Sequence, residues 1–210
     1  GYIAAKTETL ELATGILPLF TRTPTNIAMT AAGLDYISGG RAVLGIGASG
    51  PQVIEGFHGV KYDAPLGRAR EYADICRKVW KREVLTYDGE TVKVPLPPGQ
   101  GTGLGKPLKL INHPVRDDIP IWWASLMGKS VEATAEVADG WLPVMFIPER
   151  FQQVWGSQLK AGTAKRPAER GRLEISAGGM LAIDEDLTGD KADAVLDAGG
   201  SAVLPGLVDG

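Results

Sequence analysis

The residues that could carry out chemistry are few and far apart. The chain contains two histidines, His58 and His113, and a single cysteine, Cys76. The two histidines lack the close spacing of metal ligands, and no catalytic triad, carboxylate pair or Cys/His cluster can be identified. We therefore predict no metal site, and the spacing of residues identifies no catalytic side chain. We expect both histidines to lie in surface loops or turns, and Cys76 to be inert packing in a helix.

A glycine-rich segment is the first candidate for ligand binding. Gly47, Ala48, Ser49 and Gly50 follow an apolar run and open a predicted loop that extends to Ala64. A loop of this length in a compact domain is more often functional than idle. The segment lacks the spaced third glycine of a dinucleotide-binding fingerprint. A plain turn after a strand and a ligand-lining loop are therefore equally open interpretations.

Two shorter segments leave a similar choice. Gly15 and Ile16 lie inside an apolar run, where a glycine bend in a buried strand is the simplest interpretation. Residues 125–129 read Ser-Leu-Met-Gly-Lys and lead into a predicted helix. Lys129 is then either a solvated residue at a helix start or part of a binding site.

Buried strands alternate with amphipathic helices along the chain. Apolar runs predict strands over residues 10–19, 42–46, 119–124, 141–146 and 173–183. Helices are predicted to begin at Thr23-Pro24 and at Pro65, and Asp88-Gly89 predicts a hairpin. This alternation predicts an α/β fold with a parallel sheet. A doubly wound sheet and a TIM barrel both fit the pattern, and unequal loops that all follow strands favour a site at the carboxyl rim of a barrel.

Composition and charge exclude several classes of partner. The net charge is −3 and the hydrophobic content is 44%, so neither nucleic acid nor an anionic membrane is an expected partner. No apolar run is long enough to span a bilayer, and the first residues lack the basic and apolar regions of a signal peptide. A single cysteine fits a reducing compartment. We therefore expect a cytoplasmic globular protein.

Several segments of the chain resemble the bacterial luciferase-like monooxygenase family, and in particular its branch that uses the deazaflavin coenzyme F420. These segments are TGILPLFTRTP, SGGRAVLGIGASGPQ, EGFHGVKYDAPLGRAREY, the LTYDG hairpin and IPIWWASLMGKSVEATAEVADGWLP. They occur in the family's order and spacing, roughly from Ala4 to Val195. The resemblance implies a TIM barrel that is often dimeric. Trp122 and Trp123 are adjacent on a strand, so one ring should face the barrel interior and the other the helices.

The resemblance implies an oxidoreductase that transfers a hydride between a bound deazaflavin and a small organic substrate. In such enzymes the cofactor carries the reaction, and the protein supplies binding, orientation and electrostatics. An FMN-dependent monooxygenase on the same fold is the alternative. Some members place a carboxylate directly after the glycine-rich loop as a proton donor. This chain has Pro51-Gln52 there, so that role is not supported.

Three segments are implied to contact the cofactor. A backbone bulge behind the deazaflavin ring, in some members a non-proline cis peptide, corresponds to Gly15, Ile16 and Leu17. The loop that lines the ring or its side chain corresponds to Gly47, Ala48, Ser49 and Gly50. The phosphate-binding turn corresponds to Leu126, Met127, Gly128 and Lys129, where amide groups at a helix N-terminus suit an anion. Basic residues over 160–172 either form a solvated loop or attract the polyglutamyl tail of the deazaflavin.

The ends of the chain depart from the family pattern. The family has two strands before the one at Leu10 and an eighth strand later, so only five of the eight barrel strands are recognised over residues 1–193. An incomplete barrel exposes strand edges, which makes an inactive or self-associating fragment a second class of hypothesis. Residues 194–210 resemble the stretch before the first barrel strand of metal-dependent amidohydrolases. We expect them to form an atypical tail.

Overall fold

The chain alternates strands and helices, as the sequence predicts. The structure, a computed structural model, describes residues 1–144 and 146–176. The strands are β1 (Leu12–Ala13), β2 (Leu17–Pro18), β3 (Ala42–Gly47), β4 (Tyr87–Asp88), β5 (Lys93–Val94), β6 (Ile121–Ala124), β7 (Gly140–Leu142) and β8 (Glu174–Ile175). The α-helices are α1 (Tyr2–Lys6), α2 (Pro24–Ser38), α3 (Pro51–Gly56), α4 (Pro65–Trp80), α5 (Gly128–Val137) and α6 (Phe151–Thr163), and a 3-10 helix spans Ala168–Arg170.

The parallel strands follow one another in space in the order of the chain. β1 and β2 are two segments of one interrupted strand, both paired with β3, and β6, β7 and β8 follow in turn. A doubly wound sheet would reverse its strand order at a switch point, and this sheet does not. The five strand positions therefore form part of a TIM barrel, which confirms the predicted fold.

Several predicted boundaries are wrong in extent. Of the predicted strand over residues 141–146, the described residues form a strand over Gly140–Leu142, and the predicted loop over residues 47–64 contains helix α3. The last predicted strand is present as Glu174–Ile175; residues 177–183 and the predicted tail over residues 194–210 lie outside the described residues. Within the described part of the chain, no helix combines the length and apolar character needed to cross a bilayer.

Thr14 joins the two halves of the interrupted first strand. Its hydroxyl donates to the carbonyl oxygen of Gly45 and accepts from the amide of Gly45, both at 2.8 Å. A Cβ atom on Gly45 would overlap the Thr14 carbonyl. The chain therefore bulges at Gly15 and Ile16, because the Thr14 hydroxyl takes the place of a main-chain group in the hydrogen bonds to Gly45. The peptide between these two residues is trans, since Val94–Pro95 is the one cis peptide among residues 1–144 and 146–176.

The two faces of the sheet differ in the size of their side chains. The face toward the helices carries large side chains that lie in the hydrophobic core: Leu44, Ile46, Ile121 and Trp123. The inner face carries residues that alternate with these and are mostly small: Gly45, Gly47, Ala124 and Gly140. On this face the ring of Trp122 covers Gly140 so closely that no Cβ atom would fit there. The predicted division of the two tryptophans is confirmed.

The two longest helices begin where the sequence predicts. The hydroxyl of Thr23 caps α2 by accepting from the Asn26 amide at 3.3 Å, and Gly39 ends this helix in the left-handed conformation. Pro65 begins α4. Cys76 is buried in α4, and burial raises the pKa of its thiol to about 12. The thiol is therefore protonated at neutral pH and packs in the core as an inert side chain, as predicted.

The predicted hairpin is present, and a buried carboxylate holds its loop. β4 and β5 pair in antiparallel fashion across residues 89–92. Glu71 of α4 accepts hydrogen bonds from the amides of Glu90 at 2.7 Å, Thr91 at 3.1 Å and Val92 at 2.8 Å, and from the Thr91 hydroxyl at 2.6 Å. A Cβ atom on Gly89 would lie 2.5 Å from the carboxyl carbon of Glu71, so this glycine leaves room for the carboxylate.

The same contacts set the ionisation of Glu71. Burial by itself raises the pKa of this carboxyl, but the Thr91 hydroxyl and the three amides favour the charged form and bring the net pKa below its ordinary value of 4.5. A carboxyl with a lowered folded-state pKa contributes stability that is present above the unfolded pKa. This contribution is lost as the pH falls below about 4.5 and through the folded-state pKa.

We predict that Glu71→Gln lowers the free energy of unfolding at pH 7 by about 1–3 kcal/mol, because one acceptor oxygen is replaced by a second donor facing the amides. The difference from the wild type should shrink as the pH falls below about 4.5, because the charged form of Glu71 then progressively loses its contribution to stability. Urea unfolding at pH 7 and near pH 3 measures both effects. Glu90→Gln, on an exposed neighbour, is the control. An equal difference at both pH values would contradict the assigned role of the charge.

Candidate functional site

Three segments meet at the carboxyl edge of the parallel strands. Pro18 at the end of β2 pairs with Gly47 at the end of β3, Gly47 pairs with Ala124 at the end of β6, and Ala124 pairs with Leu142 at the end of β7. The bulge at residues 15–17, the segment 47–50 and the turn 126–129 therefore lie along one edge. The structure brings together all three segments that the sequence singled out.

The inner wall at this edge is apolar. A Cβ atom on Gly47 would lie 2.6 Å from the Cδ1 atom of Ile16, so the isoleucine packs directly over the glycine. The methyl group of Ala124 lies on the other side of Gly47, 3.5 Å from the same position. Leu17 points to the opposite face and packs against the hydrophobic core. Of the first segment, Ile16 therefore contributes a side chain to the inner wall, whereas Leu17 supports the wall from behind.

The glycine-rich segment is held from both ends by main-chain and side-chain bonds. The amide of Leu19 donates to the carbonyl of Gly47 at 3.0 Å, and the carbonyl of Gly50 accepts from the amide of Ile54 at 3.0 Å in the first turn of α3. Between them, Ser49 has a left-handed backbone with φ 60°. The Ser49 carbonyl accepts from the hydroxyl of Tyr62 at 3.1 Å.

The turn before α5 contains main-chain donors that have no partner within the helix. Met127 is the N-cap residue, and its carbonyl accepts from the amides of Ser130 and Val131, both at 2.9 Å. The amides of Gly128 and Lys129 precede these bonds and belong to the orphan donors of a helix start. Leu126 and Met127 are exposed. The segment therefore has the geometry of an anion-binding helix N-terminus.

Two tryptophans fix the backbone that leads into this turn. Trp141 Nε1 donates to the Ser125 carbonyl at 2.9 Å, and Trp155 Nε1 donates to the Leu126 carbonyl at 3.0 Å. The two indole rings pack edge to face with centroids 5.2 Å apart. Sequence reasoning missed this role, because an indole donor to a distant carbonyl leaves no periodic or local signal.

A buried hydroxyl pair adds a second support for the turn. Thr134 donates to the Ser130 carbonyl at 2.8 Å and accepts from the hydroxyl of Ser125 at 2.7 Å. Behind the turn, α6 is close: a Cβ atom on Gly128 would lie 3.4 Å from Nε2 of Gln158. Any side chain at position 128 must therefore share space with Gln158.

The helix that follows the glycine-rich segment carries one carboxylate, and it is already engaged. Pro51 and Gln52 begin α3, as the sequence indicates, and Glu55 of this helix accepts from the Tyr62 amide at 3.1 Å. His58 is exposed beside Phe57. No group of three or more candidate metal ligands occurs among the residues that the structure describes.

Three of the basic residues over 160–172, Lys165, Arg166 and Arg170, form ion pairs or donate to main-chain carbonyls. Lys165 pairs with Glu132 at 2.6 Å, Arg166 donates to the carbonyls of Ala135 and Gly171, and burial lowers the pKa of Arg166. This region is part helix and part 3-10 helix, whereas the sequence predicts a loop. These intramolecular partners do not favour the polyglutamyl-tail interpretation.

A separate cavity of about 200 Å³ lies at the amino edge of the strands. It is bordered by Asp139, whose carboxylate accepts from Arg170 and Arg77, each at 3.2 Å, and from the amide of Ile121 at 2.9 Å. Asp118 and Asp139 here are both paired with Arg77 and Arg170. We therefore assign the candidate site to the carboxyl edge, where the three segments meet.

Comparison with known proteins gives close relatives of the chain. A family model described as luciferase-like monooxygenase matches residues 1–198. A Mycobacterium tuberculosis protein provisionally named a coenzyme F420-dependent oxidoreductase is 44% identical over 185 residues, which cover 87% of this chain and 53% of the relative. A 5,10-methylenetetrahydromethanopterin reductase of Archaeoglobus fulgidus is 32% identical over 191 residues, which cover 90% of this chain and 52% of the relative.

The fold is shared with a solved structure as well. The coenzyme F420-dependent tetrahydromethanopterin reductase of Methanopyrus kandleri superposes with a TM-score of 0.69 at 23% identity, over 88% of this chain and 54% of that one. The chain spans about half the length of the curated relatives it matches. Because the family model matches nearly all of its residues, the protein belongs to the luciferase-like monooxygenase family.

Proposed function

We propose that the protein is an F420-dependent oxidoreductase whose cofactor binds at the carboxyl rim of the strands. The observation that carries this proposal is the turn before α5, an exposed segment of main-chain donors held by two indoles. The relative that is 44% identical supports the choice of cofactor, since its name specifies coenzyme F420. The chain covers about half of that relative, so the activity of the whole protein is part of the proposal.

The turn suits the phosphate group of the deazaflavin cofactor. The amides of Gly128 and Lys129 lie at the positive end of the α5 dipole, which favours a negative charge within the first turn. Lys129 is exposed and adds a charge without a salt-bridge partner within the described residues. The phosphate would therefore be held mainly by main-chain donors, and Leu126 and Met127 would border it.

The inner wall suits a flat ring. Ile16, Gly47 and Ala124 present small or flexible apolar groups at the same rim. The segment from Gly47 to Gly50 would form the adjoining wall, because its backbone is fixed at both ends. A rigid apolar wall excludes water and orients a planar group, which is the protein's part in cofactor chemistry.

The bound deazaflavin would supply a hydride donor or acceptor, and the described residues of this chain would bind and orient it. Glu55 is the carboxylate on the helix that follows the glycine-rich segment, and it already accepts from the Tyr62 amide. We assign no catalytic residue. The small organic substrate and the homodimer, which the resemblance implies, stay predictions, as does the cytoplasmic location expected from the composition.

An FMN-dependent monooxygenase is the alternative function. The family description names monooxygenases, and a helix N-terminus binds the phosphate of FMN by the same physics. An inactive or self-associating chain is the hypothesis from a different class. Direct binding measurements separate these three.

We predict saturable binding of F420 to the purified protein and much weaker binding of FMN. Both cofactors are fluorescent, so titration while following fluorescence gives the two dissociation constants. Binding of FMN alone would contradict the F420 assignment and favour the monooxygenase. Binding of neither would contradict both enzyme functions and leave the inactive chain.

We predict that Gly128→Glu weakens F420 binding by about tenfold or more, since it places a negative charge at the N-terminus of α5. Gly128→Ala is the matched control, because its Cβ atom meets Gln158 in the same way and adds no charge. Lys129→Glu should also weaken binding, and both charge effects should decrease at high salt. Equal affinities of the Glu and Ala variants at position 128 would contradict the phosphate assignment.

We predict that Trp155→Phe increases the hydrogen-exchange rates of amides in residues 126–131 and weakens F420 binding by about fivefold, as expected for one lost hydrogen bond. Trp80→Phe is the matched control, because it also removes an indole donor from a carbonyl, that of Ala28 at 2.9 Å. The control should lower the global stability of the protein without selectively raising hydrogen exchange in residues 126–131. Identical local exchange in the two variants would rule out the support role of Trp155.

A further inference from the structure

A stack of three side chains lies behind the glycine-rich segment. Phe20 follows β2, Tyr62 lies between α3 and α4, and Arg68 lies in α4. The rings of Phe20 and Tyr62 are stacked with centroids 4.8 Å apart, and the guanidinium of Arg68 lies over the Phe20 ring at 4.7 Å. Asp63 holds this guanidinium through an ion pair of 3.0 Å. The stack thus connects three separate parts of the rim.

The stack ends at the backbone of Ser49. The hydroxyl of Tyr62 donates to the Ser49 carbonyl at 3.1 Å, which is within the normal range for a hydrogen bond. The amide of Tyr62 donates to Glu55 at the same distance, so both ends of the tyrosine are fixed. Burial raises the pKa of Tyr62 above its ordinary value of 10.0, and the phenol is therefore a donor at neutral pH.

Backbone strain lies on both sides of this contact. Ser49 with φ 60° and Ala64 with φ 41° are two of the three non-glycine residues with positive φ in the described part of the chain. Such conformations cost free energy and persist only where the surroundings hold them. The Tyr62 hydrogen bond acts directly on the strained residue 49, and residue 64 follows Tyr62 by two positions.

We propose that Tyr62 is a positioning residue for the cofactor wall formed by residues 47–50. Its hydroxyl, backed by Phe20 and Arg68, holds Ser49 in the left-handed conformation and so presents the wall in one fixed shape. A segment that already has its bound shape loses less conformational entropy when the cofactor binds. This inference rests on the proposed function, and it adds a residue that the three contact segments do not include.

The test compares Tyr62→Phe with the wild type. The substitution keeps the aromatic stack and removes only the donor. We expect the dissociation constant for F420 to rise about fivefold and the amides of residues 48–54 to exchange faster in the cofactor-free protein, with little change in the thermal unfolding midpoint. Tyr36→Phe, on the exposed outer side of α2, is the matched control and should change none of these.

The outcomes separate the two proposals. If the wild type binds F420 and Tyr62→Phe binds equally well, the positioning role is overturned while the proposed function stands. Faster exchange with unchanged affinity would also overturn it, because the wall would then not need a fixed shape. If the wild type binds no F420, the proposed function fails, and the role of Tyr62 in the cofactor site fails with it.

Discussion

The close approach of the first strand to β3 depends on two residues that lack side chains. The Thr14 carbonyl occupies the space that a Cβ atom on Gly45 would need, and Ile16 occupies the space above Gly47. Because Gly45 and Gly47 have no side chains, the Thr14 hydroxyl can hydrogen-bond to the main chain of β3 and the first strand can bulge inward. The inner wall, the register of the rim and the placement of residues 47–50 all follow from this contact.

The candidate site consists mainly of backbone, and its precision comes from the residues behind it. The turn before α5 is held by the indoles of Trp141 and Trp155, and the glycine-rich segment by Tyr62. Each support is a side-chain donor to a main-chain carbonyl. Such bonds fix the shape of a binding surface without placing a reactive side chain on it. A cofactor that carries its own chemistry is the natural occupant of such a surface.

Local sequence signals predicted the helix ends and the hairpin, whereas contacts between residues distant in the sequence were not predicted. Thr23 and Gly39 mark the ends of α2 because capping acts within one helical turn, and Asp88-Gly89 marks the hairpin for a similar reason. Helix α3 was missed, since a six-residue helix has no room for a periodic pattern. The carboxylate of Glu71 reaches a loop about twenty residues away, and sequence alone gives no sign of such a partner. Segments 15–17, 47–50 and 126–129 were singled out through the family resemblance, whereas the residues that support them are identified by the structure.

The central claim is that one carboxyl rim, built from segments 47–50 and 126–129, holds the cofactor. An NMR titration of isotope-labelled protein with F420 tests it most directly, because every amide in both segments reports separately. We expect the largest chemical-shift changes at the amides of Gly47, Ser49, Gly128 and Lys129, with small changes elsewhere. Changes concentrated instead at the opposite edge, around Asp118, Asp139 and Arg170, would contradict the claim.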